Sequence, residues 1–251
     1  MLSIKKNKKI NLDIPSFLCD SGINPKLNDF PMLSHLNSFC FNLILGKPGS
    51  GKTSLMISFI QNKNILKKKF NNVLIVMPEP SRKSLKKNIF EKHNEDKMYD
   101  ELTKSTINDI FFKLNEYTND NETTLLILDD VGASLKNNDI AIKLREIIYN
   151  RRHLKTQIII MSQSYLSLPK EIRKMVNNIF IMYKPNKPEI EMLFNEIIEQ
   201  KKDLALDIIK YSLRKPHDYL MINIDNQKFY SNFDEIIIND DEIWHIKKKY
   251  L

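Results

Sequence analysis

The chain is short of several residue types, and each shortage excludes something. Among 251 residues there are five glycines, two cysteines, one tryptophan and six arginines. Two cysteines, Cys19 and Cys40, with no CxxC pair and no clustered histidines, support neither a disulfide framework nor a zinc site. Long apolar runs are also missing. The stretch Ile158-Ile159-Ile160-Met161 falls far below the roughly 20 residues of a membrane helix, and Met1-Leu2-Ser3-Ile4-Lys5-Lys6 lacks the apolar segment of a signal peptide. A soluble, intracellular protein with reduced, structural thiols and no membrane span is expected. The length suits one α/β domain with additions. Lysine and arginine outnumber aspartate and glutamate by 39 to 31, a formal charge of +8. This favours an acidic partner such as nucleic acid without requiring one, because a Lys- and Asn-rich, Arg-poor composition also follows from an AT-rich genome.

Against this scarcity, three of the five glycines fall within six residues, in Gly46-Lys47-Pro48-Gly49-Ser50-Gly51-Lys52-Thr53, directly after the apolar run Phe41-Asn42-Leu43-Ile44-Leu45. The spacing G-x-x-x-x-G-K-[ST] is that of a phosphate-binding loop. Residues without Cβ let successive N–H groups curl around phosphate oxygens, and the following helix turns its positive end to the anion. Gly46 through Ser54 are therefore the expected ATP-binding residues, with Lys52 reaching the β- and γ-phosphates and Thr53 ligating Mg²⁺.

Residues 1–40 show no sustained periodicity and read as an irregular N-terminal arm carrying Lys5, Lys6, Lys8 and Lys9. From Phe41, apolar strand candidates at 41–45, 73–77, 124–128, 157–161 and 178–183 alternate with helical segments, the pattern of a mainly parallel α/β sheet covered on both faces. Residues 41–185 form the expected core. Residues 186–251 form an extension with a helical pair at about 188–199 and 202–213, a hairpin from Asp218 to Tyr230, and a solvated tail at Lys247-Lys248-Lys249.

The run Leu125-Leu126-Ile127-Leu128-Asp129-Asp130 ends in two carboxylates where an open parallel sheet carries its ligands. This is the Walker B position, with Asp129 as a Mg²⁺ residue and Asp130 as general base, although Asp-Asp after a strand is also an ordinary turn. Gln163, at the tip of the next strand, suits a γ-phosphate sensor or a turn cap. Arg145, Arg151 and Arg152 lie at or near a helix C-terminus, where basic residues meet the helix dipole. An arginine finger for a neighbouring subunit is the other reading, and Arg151 and Arg152 are its first candidates. In Ser81-Arg82-Lys83-Ser84-Leu85-Lys86-Lys87, helical spacing puts Lys83, Lys86 and Lys87 on one face, either solvated or against a phosphate backbone.

Three segments together resemble the FtsK-HerA superfamily of DNA-pumping ATPases, and within it the poxvirus-type genome-packaging ATPases of large DNA viruses and virophages. They are Gly46–Thr53, Leu125–Asp130 and, most specifically, the run from Arg152-His153-Leu154-Lys155 through Ser162-Gln163-Ser164-Tyr165 to Leu168-Pro169-Lys170-Glu171-Ile172-Arg173. The resemblance covers about residues 40–185. It implies a RecA-like P-loop NTPase fold of the ASCE type with core strand order 5-1-4-3-2, Mg²⁺-dependent ATP hydrolysis, and a homo-oligomeric ring around double-stranded DNA. It further implies contact with capsid or portal-vertex proteins, and a place in the host cytoplasm, the viral factory or the virion. Lys52, Thr53, Asp129, Asp130 and Gln163 fall on the family's site positions. Another ATP-driven DNA motor, a transposition helper ATPase and, more remotely, a small-molecule phosphotransferase are the alternatives.

Overall fold

The structure, a computed structural model, describes residues 2–5, 39–62, 65–83, 90–197 and 202–238. In chain order its strands are β1 (Leu2–Lys5), β2 (Phe41–Leu45), β3 (Asn72–Val76), β4 (Met98–Tyr99), β5 (Thr124–Asp129), β6 (Thr156–Ser162), β7 (Asn178–Ile181), β8 (Leu220–Asn223), β9 (Lys228–Ser231) and β10 (Asp234–Ile238). The helices are α1 (Lys52–Gln61), α2 (Glu79–Lys83), α3 (Lys104–Asn119), α4 (Asn138–Asn150), α5 (Lys170–Arg173), α6 (Lys187–Glu196) and α7 (Lys202–Ser212).

All the described strands join one sheet, in the order β1-β10-β9-β8-β7-β2-β6-β5-β3-β4. From β7 to β4 the neighbours are parallel, and from β8 outward they are antiparallel. The core segment β7-β2-β6-β5-β3 has the 5-1-4-3-2 order that the resemblance implies. Its strands are dominated by apolar residues because both faces are covered. Leu43, Leu126, Leu128, Ile158 and Ile160 pack toward Ile110, Leu114, Leu144 and Ile147 of α3 and α4. The alternate residues Ile44, Ile127, Ile159 and Met161 pack toward Leu55, Met56 and Phe59 of α1.

The C-terminal hairpin continues this sheet. Across the paired positions Asn42, Asn178 and Asn223, Asn178 Nδ2 donates to Asn42 Oδ1 at 2.9 Å, and Asn223 Nδ2 donates to Asn178 Oδ1 at 2.8 Å. All three are buried, so a slip in register would strand amide groups away from water. Phe59, Phe180, Tyr219 and Phe233 pack beside the ladder on the same face of the sheet, with ring centroids 5.2–6.2 Å apart.

Three strands differ from the sequence reading. Leu2–Lys5, within the stretch read as an irregular arm, pairs with Glu235–Ile238. Both segments are short and lie at the sheet's edge, and their pairing joins residues more than two hundred positions apart, which no local pattern reveals. Met98–Tyr99, with two residues, is too short for periodicity. Cys19, Lys86, Lys87 and the Lys247–Lys249 tail lie outside the described residues, whereas Cys40 is buried and its thiol meets Asn42 Oδ1. No described helix is long and apolar enough to cross a membrane.

The asparagine ladder makes a stability prediction. Asn178→Leu keeps the volume and leaves Asn42 Oδ1 and Asn223 Nδ2 without this partner. Denaturant unfolding should show a loss of about 2 kcal/mol or more, since each buried polar group left unpaired costs about 1–3 kcal/mol; unchanged stability would mean that the ladder contributes nothing to the seam.

Candidate functional site

The phosphate loop leaves β2 with Gly46 N–H donating to Ser162 O at 3.0 Å, which ties it to the tip of β6. Gly49 and Gly51 take left-handed φ values of 77° and 101°. A side chain at Gly46 would collide with Ser50 Oγ, 2.1 Å from the position of its Cβ. These are the places where the motif requires glycine. The helix that follows is open at its start: α1 has no side-chain cap and no acidic residue in its first turn. By contrast, Thr103, Asn137 and Asn186 cap α3, α4 and α6 with side-chain oxygens. The first N–H groups of α1 therefore keep their capacity for an anion. Ser50 Oγ is buried without a hydrogen-bond partner at the same loop. Lys52 Nζ folds back onto Gly46 O at 2.6 Å and Lys47 O at 3.3 Å, bonds that a phosphate oxygen can replace.

Beside the loop, β5 ends in Asp129, which is buried. Burial raises its carboxyl pKa to about 6 from the ordinary 3.8, Lys52 draws it down and Asp130 pushes it up. Burial likewise lowers the pKa of Lys52, while Asp129 and Asp130 raise it. A desolvated carboxylate incompletely matched by one ammonium is suited to a divalent cation, and Thr53 supplies a hydroxyl from the start of α1. No group of three or more His, Cys, Asp or Glu side chains gathers among the described residues. This donor set fits Mg²⁺, which keeps several waters and takes substrate phosphate oxygens instead of filling an all-protein cage.

Asp130 turns into the left-handed region, φ 53°, which aspartate tolerates better than most residues. Its N–H donates to Met161 O at 3.1 Å. The exposed Gln163 reaches over the tip of β6 and donates from Nε2 to both Asp130 carboxylate oxygens, each at 3.2 Å. The two residues read separately from sequence thus meet as one polar unit.

The segment after Gln163 is held by groups that the sequence reading missed. Ser164 Oγ donates to Glu189, whose carboxylate also accepts from Asn186 N–H in a capping box at the head of α6. Tyr165 Oη donates to Glu196 at 2.9 Å, and Arg173 bonds both Glu196 oxygens at 2.9 and 3.0 Å. Glu189-x-x-x-x-x-x-Glu196 at helical spacing was the available signal, though nothing local named its partners. His217, from the turn before β8, also touches the phosphate loop.

The arginines are placed differently from expectation. Arg151 lies where β6 begins, at the end of the sheet opposite the phosphate loop: Thr156 N–H donates to its carbonyl at 2.8 Å. Its guanidinium is buried, with Nη1 donating to Ile148 O at 2.9 Å and Nη2 to Asn177 Oδ1 at 3.1 Å. The assignment of Arg151 as a finger is therefore corrected: it closes the C-terminus of α4 and the entry to β7. Arg152 is exposed at the same end, and Arg145 is half-buried on α4. Neither meets the phosphate loop of its own chain. Lys83 pairs with Glu79 at 2.7 Å on exposed α2, and the rest of that basic face lies outside the described residues.

Asp129 generates a pH prediction for the metal-free protein. Its folded pKa lies above the unfolded value, so its contribution to stability is fully present below pH 3.8 and is lost as pH rises through about 6. In EDTA at pH 8, Asp129→Asn should be more stable than wild type by an amount on the order of 2–3 kcal/mol. The gain should shrink toward pH 4. Equal melting points at pH 8 would mean that the carboxylate is not strained by burial.

Comparison with known proteins agrees with this geometry. The profile of the Poxvirus A32 protein family matches residues 30–249. No curated protein sequence matches the chain. Among solved structures, the DNA-packaging ATPase B204 from Sulfolobus Turreted Icosahedral Virus superposes with a TM-score of 0.55 at 17% identity, covering 81% of this chain and 100% of that one. The genome packaging NTPase B204 from Sulfolobus turreted icosahedral virus 2, in complex with AMPPCP, gives 0.59 at 16% identity over 81% and 100% of the two chains. The pCW3 conjugation coupling protein TcpA gives 0.54 at 10% identity over 82% of this chain and 63% of its own. These likenesses establish a RecA-like fold shared with P-loop ATPases. With nearly the whole described core inside the profile match, the chain belongs to the Poxvirus A32 protein family.

Proposed function

We propose that this protein is an ATP hydrolase that works as a homo-oligomeric ring and moves double-stranded viral genomic DNA into a preformed capsid. The observation that carries the hydrolase reading is the convergence of Lys52, Asp129 and the Asp130–Gln163 pair on the sheet edge beside the uncapped start of α1. The DNA reading is supported by membership of the Poxvirus A32 protein family, by the fold shared with packaging ATPases and by the net charge of +8.

In this reading, the N–H groups of Gly49 to Thr53 receive the β-phosphate, and Lys52 leaves the Gly46 carbonyl to bridge the β- and γ-phosphates. Thr53 and Asp129 would hold Mg²⁺, which when bound would supply charge neutralisation on the phosphates. Asp130 accepts the proton of the attacking water, and Gln163, already bonded to that carboxylate, orients the water with its amide. Arg152, exposed at the far end of the sheet, is the remaining member of the Arg151-Arg152 pair with a guanidinium available to a neighbouring subunit. Capsid or portal-vertex proteins would be the docking partners of the ring.

The test is ATP turnover by the full chain with and without double-stranded DNA. DNA should stimulate the rate, and the stimulation should fall with added salt because the grip is on phosphates. Lys52→Ala should lose turnover through lost phosphate binding. Asp130→Asn should still bind nucleotide yet turn over roughly 10²- to 10⁴-fold more slowly, the span typical of a general base. Turnover indifferent to DNA would instead favour a small-molecule phosphotransferase, and unchanged rates in both variants would remove the site assignment.

A further inference from the structure

The turn before β8 reaches back 167 positions to the phosphate loop, where His217 Nδ1 lies 3.1 Å from the Ser50 carbonyl oxygen. A carbonyl only accepts, so Nδ1 carries the proton and donates. The imidazole also packs on the loop backbone: a Cβ built on Gly51 would stand 3.3 Å from His217 Nδ1 and 3.3 Å from Met182 Cε. The turn that presents the ring is itself braced. Lys215 N–H donates to Asp218 Oδ2 at 2.7 Å, Asn232 Nδ2 donates to Asp218 Oδ1 at 2.7 Å, and Tyr219 N–H donates to Asn232 Oδ1 at 2.9 Å. His217 takes a left-handed backbone, φ 69°.

The consequence lies in one peptide unit. The hydrogen-bond ladder of α1 starts with Leu55 N–H donating to Gly51 O at 2.9 Å, so the Ser50 carbonyl stands before the ladder. The Ser50–Gly51 peptide is planar and trans, which makes its C=O and its N–H point in opposite directions. Gly51 carries no Cβ and sits at φ 101°, so rotation of this unit meets little steric resistance. Holding the carbonyl oxygen toward His217 aims the Gly51 N–H the other way, into the loop where a phosphate is received.

We propose that His217 is a positioning residue of the phosphate loop: its Nδ1–H pins the Ser50–Gly51 peptide in the anion-receiving orientation and links the nucleotide site to the C-terminal sheet. This rests on the nucleotide-binding reading of the loop. The C-terminal extension is then part of the nucleotide site, through a residue no P-loop motif contains.

Asparagine and aspartate provide a matched pair for the test. Both place an atom where Nδ1 stands and tolerate a positive φ, but only the asparagine amide can donate to Ser50 O. Binding of Mg²⁺-AMPPCP to the full chain would be measured by calorimetry for wild type, His217→Asn, His217→Asp and His217→Gly. His217→Asn should bind close to wild type, whereas His217→Asp and His217→Gly should bind roughly 2- to 10-fold more weakly, the range set by one net hydrogen bond. Melting points of the Asn and Asp variants without nucleotide should be alike. Equal affinity of the Asn and Asp variants, or wild-type affinity in His217→Gly, would overturn the proposal. If wild type fails to bind AMPPCP, the nucleotide reading itself fails and takes this inference with it.

Discussion

The last two carbonyls of β6 hold the site together. Ser162 O accepts from Gly46 N–H at the root of the phosphate loop, and Met161 O accepts from Asp130 N–H at the turn beyond β5. The strand tip that fixes these two loops also ends in Gln163. β6 lies between β2 and β5 in the sheet, so the glycine-rich loop after β2, the buried Asp129 carboxylate and the Gln163 amide over Asp130 take their mutual spacing from one strand. That spacing depends in turn on the sheet register, which the alternating Leu and Ile packing fixes on both faces.

The site carries costs that the surrounding fold absorbs. Asp129 is kept in an apolar setting where its ionised form is disfavoured, α1 is left without a cap, and Asp130 occupies a left-handed backbone. Each would be relieved by an ordinary substitution, and each gives the edge a capacity for an anion, a cation or a proton. Stability is supplied elsewhere, by the two-sided apolar core, the Asn42-Asn178-Asn223 ladder and the buried Arg173–Glu196 pair. The same division explains why the extension is built into the sheet: β8 and α6 hold β7 and the segment after Gln163 in place.

The central strands were legible because parallel strands buried on both faces are mostly apolar, and the glycine spacing was legible because it answers a local steric demand. Asp129, Asp130 and Gln163 followed from their places at strand tips. What escaped depends on distant partners. β1 and β10 pair across most of the chain, Glu189 and Glu196 look like ordinary helix acids until Ser164, Tyr165 and Arg173 arrive, and His217 has no neighbour in sequence that points to Ser50. Arg151 was misread for the same reason. A basic run at a helix end looks alike whether its guanidinium faces a partner subunit or is turned inward onto Ile148 and Asn177.

The most direct test of this account is amide hydrogen exchange of the full chain with and without Mg²⁺-AMPPCP. The account predicts that nucleotide slows exchange together at Gly49 to Leu55, at the Asp129-Asp130 turn and at Gln163-Ser164, because all three segments hang from the tip of β6. Slowed exchange confined to surfaces away from that tip, with the phosphate loop unchanged, would contradict it.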